Sequence, residues 1–572
     1  MSASLRSDWP HPWRAHCFCA LASLFVACGG GSNSSPPATS NSGGAGGAVT
    51  GLAGAAGALG GAGSELGGSG GQSAALGSAG QGGGAAGGSG AGTGGGSETA
   101  GGAAGASGSA TGGASGASGA GGGATNGATI INDRFWKDTS GTPIYSQGGG
   151  VLKVGDTYYW YGVKYGGAPT YAANPANKNS DTSFQGVTTY SSKDLVQWKL
   201  EATDELSNSS GWFGRLGVAY NATSKKYVLI AQGGGGLYFA TSEKPSGGFK
   251  YDNVQTNLPG IVNGATGDQT IFQDDDGQAY LVSSSSNGRA NRYVSPLRAS
   301  DFLAAENAVL VYKGGGREGN CMFKYDGSYY FCSSDLHGWN ASQTYCVSAS
   351  NIQGPYGAEF VLDGTQQDYS HVTQTGFFFS IKGSQQTTVV FAGDRWSDFA
   401  GNGLGMNQWL PLSFTGTTAH FHSLSAWTVD VASGAWAPAP ENNWILNPTF
   451  EADRVSVTTP VGWTATAGEN STDGRTGNWS WQLTGNASLA QTIAGLPNGT
   501  YTLSVWTKSG GAGATLAIKN YGGADKSVAI PASTSWTNVT LSGIVASAGH
   551  AELSVTSTGQ TVKVDDFTLT SG

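Results

Sequence analysis

Five strand-like runs of similar build recur along the middle of the chain. They are Tyr158-Tyr159-Trp160-Tyr161-Gly162, Lys226-Tyr227-Val228-Leu229-Ile230-Ala231, Ala279-Tyr280-Leu281-Val282-Ser283, Tyr329-Tyr330-Phe331-Cys332-Ser333 and Thr388-Val389-Val390-Phe391-Ala392. Four follow a turn: Val154-Gly155-Asp156, Thr223-Ser224-Lys225, Asp276-Gly277 or Asp326-Gly327. Aromatic and β-branched runs bounded by Gly, Asp and Asn turns read as short strands, and no long stretch carries a helical period. A repeat of about 50–70 residues built on such strands predicts an all-β domain, a five-bladed β-propeller of four-stranded blades, with a large sandwich as the alternative. A propeller brings residues from several blades to one axial pocket.

One repeat carries a carboxylate at the mouth of its hairpin. In Gly314-Gly315-Gly316-Arg317-Glu318-Gly319-Asn320-Cys321-Met322-Phe323-Lys324-Tyr325-Asp326-Gly327-Ser328, the Asp-Gly pair is a strong two-residue turn signal. Counting back from it pairs Tyr325 with Ser328, Phe323 with Tyr330 and Cys321 with Cys332. Cys332 could bond to Cys321 or to Cys346 on the following strand, and the spacing leaves both open. Glu318 would then start a stiff strand, as suits a carboxyl group that must be aimed. Asp268 precedes a strand in the same way one repeat earlier, in Gly267-Asp268-Gln269-Thr270-Ile271-Phe272. Carboxylates on adjacent blades would face one pocket, and paired Asp/Glu groups are the usual apparatus of glycoside hydrolysis. Asp274 to Gly277 reads as a polar turn, without the remaining ligand spacing of an EF-hand.

The flanks differ in kind. Residues 1–28 read as an export signal: Arg6 and Arg14 precede the short apolar run Cys17–Ala27, and Val26-Ala27-Cys28-Gly29 resembles a lipoprotein cleavage box with Cys28 as the acylated residue. Phe25 stands where that box usually has Leu, so plain secretion is the other outcome. Residues 29–128 are almost wholly Gly, Ala, Ser, Thr and Asn. Such a segment cannot bury enough apolar surface to order itself and reads as a disordered tether, with a reach of roughly 50–60 Å. The propeller is expected over 129–438. From 442 to 572, short alternating strands around Asn447-Pro448-Thr449-Phe450-Glu451 and Asp565-Asp566-Phe567 predict a β-sandwich.

Composition narrows the partner. Charged residues make up 11% of the chain and the formal net charge is -9, with no basic stripe, so nucleic acid is not an expected partner. The 17 Trp and 22 Tyr suit stacking on sugar rings, as they also suit all-β packing. His371, His420 and His422 lack zinc-ligand spacing, and no Gly-x-Ser-x-Gly elbow, phosphate loop or dinucleotide fingerprint precedes a helix.

Taken together, Trp136-Lys137-Asp138, Gly148-Gly149-Gly150-Val151-Leu152, Tyr158 to Gly162, Tyr190-Ser191-Ser192-Lys193-Asp194-Leu195, Arg317-Glu318-Gly319 with Met322-Phe323-Lys324, and Gly393-Asp394-Arg395-Trp396 resemble glycoside hydrolase family 43, in particular its exo-β-1,3-galactanase-type branch. The resemblance spans roughly residues 130–438. It implies a five-bladed propeller of inverting glycosidases that need no cofactor. It also implies that Glu318 is the general acid and that Asp268 tunes its pKa and orients the sugar. The family's base, an Asp of the first blade, falls on Gly148. The galactanase branch also lacks that Asp, and a last-blade Gln is its suggested substitute; Gln374 is the match here, with Gln147 a second candidate. Two acidic sugar contacts of the branch fall on Val163 and on Gly214 of Gly214-Arg215-Leu216-Gly217-Val218. Gln147, Tyr161, His337, Trp339, Asp394 and Trp396 are the expected substrate contacts, with a buried Asp394–Arg395 pair as the other reading of those two residues.

The C-terminal sandwich resembles a jelly-roll carbohydrate-binding module, a resemblance that implies a structural calcium shared by Glu451 and Asp566. Of Trp463, Trp479, Trp481, Trp506 and Trp536, at most two are expected to touch sugar. The expectation is thus an exported, lipid-anchored monomer that releases terminal galactose from plant-type galactan or arabinogalactan, at the cell surface or beyond it. The alternatives are an α-L-arabinofuranosidase or galactofuranosidase on the same scaffold, and a non-catalytic glycan-binding surface protein.

Overall fold

The computed structural model describes residues 127–175, 181–206, 213–338, 340–396, 405–452 and 459–572. The expected signal segment with Cys28, the tether and Trp339 lie outside the described residues.

Between Gln147 and Phe421 the described residues form five four-stranded antiparallel sheets in succession. Their innermost strands are Gln147–Val154, Phe213–Asn221, Thr266–Gln273, Glu318–Tyr325 and Gln374–Lys382. Each packs against the next, and the fifth returns to the first. Tight turns set the hairpins: Asp326 and Gly327 both adopt positive φ (47° and 74°), the geometry that matches the twist of the flanking strands. The register follows, with Tyr325 opposite Ser328, Phe323 opposite Tyr330 and Cys321 opposite Cys332.

A separate apolar core fills each gap between neighbouring sheets. Val163 and Val187 meet Phe213 and Leu229; Ile230 and Phe239 meet Leu281 and Tyr293; Val282 and Val294 meet Met322 and Phe331; Phe323 and Tyr330 meet Phe391 and Leu410. Aromatic rings close the circle, where Trp160 of the first sheet lies 4.9 Å from Trp409 of the fifth and Trp136 lies 5.1 Å from Trp409. Strand Ala128–Ile131 pairs with Ala426–Val429, which ties the start of the ring to its end. Large rings with edge-on contacts bury much area per residue, so this seam is fixed by packing rather than by loops.

The disulfide joins Cys332 to Cys346 rather than to Cys321. All three cysteines stand in one cross-strand row, and Cys332 opposes both partners. The Cys332–Cys346 Cα separation is 4.1 Å, the close spacing of a non-hydrogen-bonded pair. Cys321 stays a buried thiol pointed at the Cys332 carbonyl oxygen.

Beyond the ring, strands Ser480–Ala494 and Gly499–Ser509 flank the long strand His550–Ser571, whose first half also pairs with Ala514–Lys519. Inward-facing Leu483, Leu489, Leu553, Val555, Val562 and Val564 form one core with Phe450, Trp463 and Trp481. Among the described residues no helix is long and apolar enough to cross a membrane.

Candidate active site

All five innermost strands lose register near their first residues. The breaks fall at Gln147/Gly150, Gly214/Gly217, Thr266/Gln269, Glu318/Cys321 and Thr375/Phe377. A bulge re-aims the side chain it carries, and here it gathers one polar residue or more from each strand at the same end of the ring. Glycine permits the close approach: Gly319 has φ +60°, and a Cβ there would sit 2.3 Å from the Thr375 carbonyl oxygen.

Glu318 and Asp268 meet as the sequence predicts, both almost fully buried. The Gly319 N–H donates to Asp268 Oδ2 at 2.9 Å, which locks the residue after one carboxylate onto the other. Gln374 Nε2 donates to Glu318 Oε1 at 2.8 Å, and Arg289 Nη1 donates to Glu318 Oε2. Burial and the neighbouring Asp268 charge push Glu318 up to about 8, against the pull of Arg289 and Arg215. For Asp268, burial alone would raise the pKa, but Arg215, Arg289 and the Gly319 N–H together hold it below the usual carboxylate value. One carboxyl thus keeps its proton at neutral pH while its neighbour is ionised, the division of labour that acid catalysis needs.

Arg215, which the sequence reading left without a role, is the keystone. Its Nε lies 3.2 Å from Asp268 Oδ2 and its Nη1 2.9 Å from Asp394 Oδ2; its Nη2 donates to Gln374 Oε1 at 2.5 Å. A buried arginine with a rigid fork can hold several acceptors from different strands at fixed spacing. Asp394 therefore pairs with Arg215 and not with Arg395, whose Nη1 instead meets Asp133 at 2.8 Å. Asp394 Oδ1 accepts the Gly148 N–H at 3.3 Å. The position where the resemblance puts a basic Asp thus has no side chain, but a carboxylate from the fifth sheet lies against its backbone. Gly148 has φ +56°, and a Cβ would begin 3.2 Å from the Arg215 backbone nitrogen.

Gln374 departs from its expected role. Its Oε1 accepts from both Arg215 Nη2 and Trp396 Nε1 (2.8 Å), which uses both lone pairs and leaves none for a water. The reverse amide orientation would set an NH₂ against two donors. Gln374 is a buried holder of Glu318, and Trp396 in turn holds Gln374. An unusual backbone delivers it: Tyr369, Ser370, His371 and Val372 all have φ between +54° and +58°. For L-residues each such step costs about 1–2 kcal/mol. The turn is pinned by Asp368, which accepts the His371 N–H at 2.9 Å, and by the His371 ring between Asp133 and Ser423.

Other expected contacts lie elsewhere. Tyr161 is fully buried between the first and second sheets and its hydroxyl donates to the Pro245 carbonyl at 2.7 Å, so it is a core residue. Gln147 is buried, with Nε2 donating to the Gly405 carbonyl at 2.5 Å. His337 stands exposed on the loop after the acid's partner strand, 3.6 Å from Asp335; Gly338 of the same loop accepts from Gln374 Nε2 at 3.1 Å. In the C-terminal sandwich, Glu451 Oε1 accepts the N–H groups of Asn478 and Trp479, each at 2.7 Å. Asp566 pairs with Arg475 at 2.5 Å. Both carboxylates thus serve the loop 475–479, and among the described residues no three His, Cys, Asp or Glu side chains converge as a metal site. Trp463 and Trp481 are core, whereas Trp506 lies under Arg475 and Trp536 beside Lys508.

Against known proteins, residues 149–389 match the family model described as Glycosyl hydrolases family 43. Among solved structures, an exo-beta-1,3-galactanase from Phanerochaete chrysosporium with bound galactose is 22% identical over 77% of this chain and 100% of that chain, with a TM-score of 0.50. An exo-beta-1,3-galactanase from Clostridium thermocellum is 24% identical over 63% of this chain and 81% of that chain, with a TM-score of 0.47. None of the curated proteins compared with the chain matches it.

Proposed function

We propose that the ring of sheets is a five-bladed propeller and a family 43 glycosidase domain acting on O-glycosyl bonds, and that it removes terminal galactose from β-1,3-galactan or arabinogalactan side chains with inversion. The observation that carries this reading is the Asp268–Glu318 pair, tied through the Gly319 N–H, in which Glu318 is pushed up to about 8. A carboxyl group that is protonated at neutral pH and buried beside an anion is equipped to protonate a leaving oxygen.

In the proposed step Glu318 gives its proton to the glycosidic oxygen as the C1–O bond breaks. A water bonds to C1 from the opposite face and passes its proton to a carboxylate. We assign that carboxylate to Asp394, because it lies against Gly148, is held by Arg215, and is kept above its usual pKa by burial. Gln374 and Trp396 hold the acid in place, and the step draws on no cofactor. Export through residues 1–28, acylation at Cys28, reach through the 29–128 tether, a sugar-binding C-terminal sandwich and action as a monomer complete the proposal.

Sugar release from β-1,3-galactan, arabinogalactan and arabinan, read by chromatography, tests it. Galactose as the released sugar is the expected result. Arabinose in its place would move the substrate to an arabinofuranosidase on this scaffold, and binding without release would leave a glycan-binding surface protein.

A further inference from the structure

The left-handed turn that delivers Gln374 is built against the C-terminal sandwich. Its four residues, Tyr369 to Val372, hold φ between +54° and +58°, and such backbone persists only where its surroundings over-determine it. Within the ring the turn is tied to the loop that follows the acid's partner strand. Ser370 Oγ donates to the Ser342 carbonyl at 2.8 Å, and the Ser342 N–H donates to the Thr373 carbonyl at 3.0 Å. The same loop supplies the Gly338 carbonyl that accepts from Gln374 Nε2, so turn and loop form one block behind the acid.

The far side of that block is apolar, and the sandwich covers it. Val372 and Ala341 are buried together with Ala452 of the sandwich, and Tyr369 and Val461 pack on them. Gly462 approaches the same segment: it has φ +82°, and a Cβ there would sit 2.7 Å from the Gln367 carbonyl oxygen. On the sandwich side these residues are rigidly held. Asn447, fully buried and at φ +45°, accepts the Ala452 N–H on Oδ1 at 3.1 Å and donates from Nδ2 to the Val461 carbonyl at 3.0 Å. Gln491 Nε2 donates to the Gly462 carbonyl at 2.9 Å. The stretch from Asn447 to Ala452 thus anchors a clamp whose jaws rest on the ring.

We propose that the sandwich belongs to the catalytic apparatus: Ala452, Val461 and Gly462 are positioning residues that clamp the 369–372 turn and, through Gln374, hold Glu318 in its catalytic place. For its catalytic consequence this rests on the galactosidase reading above. A module that only gathered polymer would lower KM for the polymer. A clamp on the acid acts on kcat instead, and does so even for a disaccharide.

The test crowds the seam from two positions in the full-length protein, with Ala452→Leu and the milder Gly462→Ala. Val505→Ala, which weakens the sandwich core outside this cluster, is the control. Hydrogen–deuterium exchange of the amides from His371 to Thr375 is read by mass spectrometry, and kcat and KM are measured on β-1,3-galactobiose below the unfolding transition of the weakest variant. The seam variants should speed exchange in this segment and lower kcat, each by about tenfold or more, with KM within about twofold of wild type. Val505→Ala should change neither. Unchanged exchange in both seam variants would overturn the clamp, whatever the activity. Faster exchange with unchanged kcat would overturn the link from clamp to acid. A loss of kcat in Val505→Ala equal to that of the seam variants would assign the effect to general sandwich stability and overturn the positioning role. Faster exchange in the seam variants of a protein whose wild type releases no sugar would uphold the clamp and sink the galactosidase reading.

Discussion

The backbone N–H of Gly319 donates to Oδ2 of Asp268 at 2.9 Å, so the residue that follows Glu318 is fastened to the carboxylate whose charge helps to raise the Glu318 pKa. Proton affinity and position of Glu318 are therefore set by one contact region: the Asp268 charge raises the acid's pKa, and the Asp268 oxygen fixes the strand that bears it.

The pH dependence of catalysis follows from that pair. As the proposed acid, Glu318 must be protonated to act, and it is pushed up to about 8, so kcat/KM should fall as pH rises through about 8. Asp268→Asn removes the like charge that helps to hold this value up. The alkaline limb should move to lower pH, and kcat should drop by about 100-fold or more at neutral pH. An unchanged alkaline limb in Asp268→Asn would show that Asp268 does not tune the acid.

The disulfide gives a stability prediction. Cys332 and Cys346 are 14 residues apart and join the acid's partner strand to the next. Replacing either by Ser should cost about 3 kcal/mol by loop-closure entropy, read as a lower denaturant midpoint. Cys321→Ser should leave the bond intact, because Cys321 takes no part in it. A midpoint that falls as far for Cys321→Ser as for Cys332→Ser would contradict the pairing.

Asp565 predicts how the C-terminal sandwich responds to pH. It is buried, and burial together with the adjacent Asp566 pushes it up to about 8. Between the ordinary carboxylate value and about 8 the folded state holds a proton that the unfolded state has lost. Folding is therefore favoured at low pH, and stability should decline as pH rises through this window, by about 1 kcal/mol or more. Asp565→Asn should flatten the decline, as read by the thermal transition assigned to this part of the chain at pH 5 and pH 8.5.

The hairpin register was legible in the sequence because local rules decide it, and the meeting of Glu318 with Asp268 followed from their like places at the start of successive innermost strands. An Asp-Gly turn fixes pairing, and a period of two carries it back to Cys321. Arg215 and Arg289 were not legible as site residues, since the Arg215 partners lie 53 to 179 positions away and two of them come from the fifth sheet, while Arg289 meets carboxylates 21 and 29 positions away through a turn that carries no pattern of its own. Tyr161 misled for a related reason. Its run is aromatic on both strand faces, so the sequence does not say which face looks to the pocket. The choice of Cys346 over Cys321 was equally hidden, because Cys332 opposes both. Asp394 and Gln374 were found as residues, but their partners were not, because Arg215 comes from another sheet.

The central claim is that Glu318 is the acid of an inverting galactosidase. The most direct check follows the anomer of the first galactose released from β-1,3-galactan by proton NMR, with wild type beside Glu318→Gln. The account predicts α-galactose as the initial product of the wild type and no release by Glu318→Gln. Initial β-galactose, or release that persists in Glu318→Gln, would contradict it.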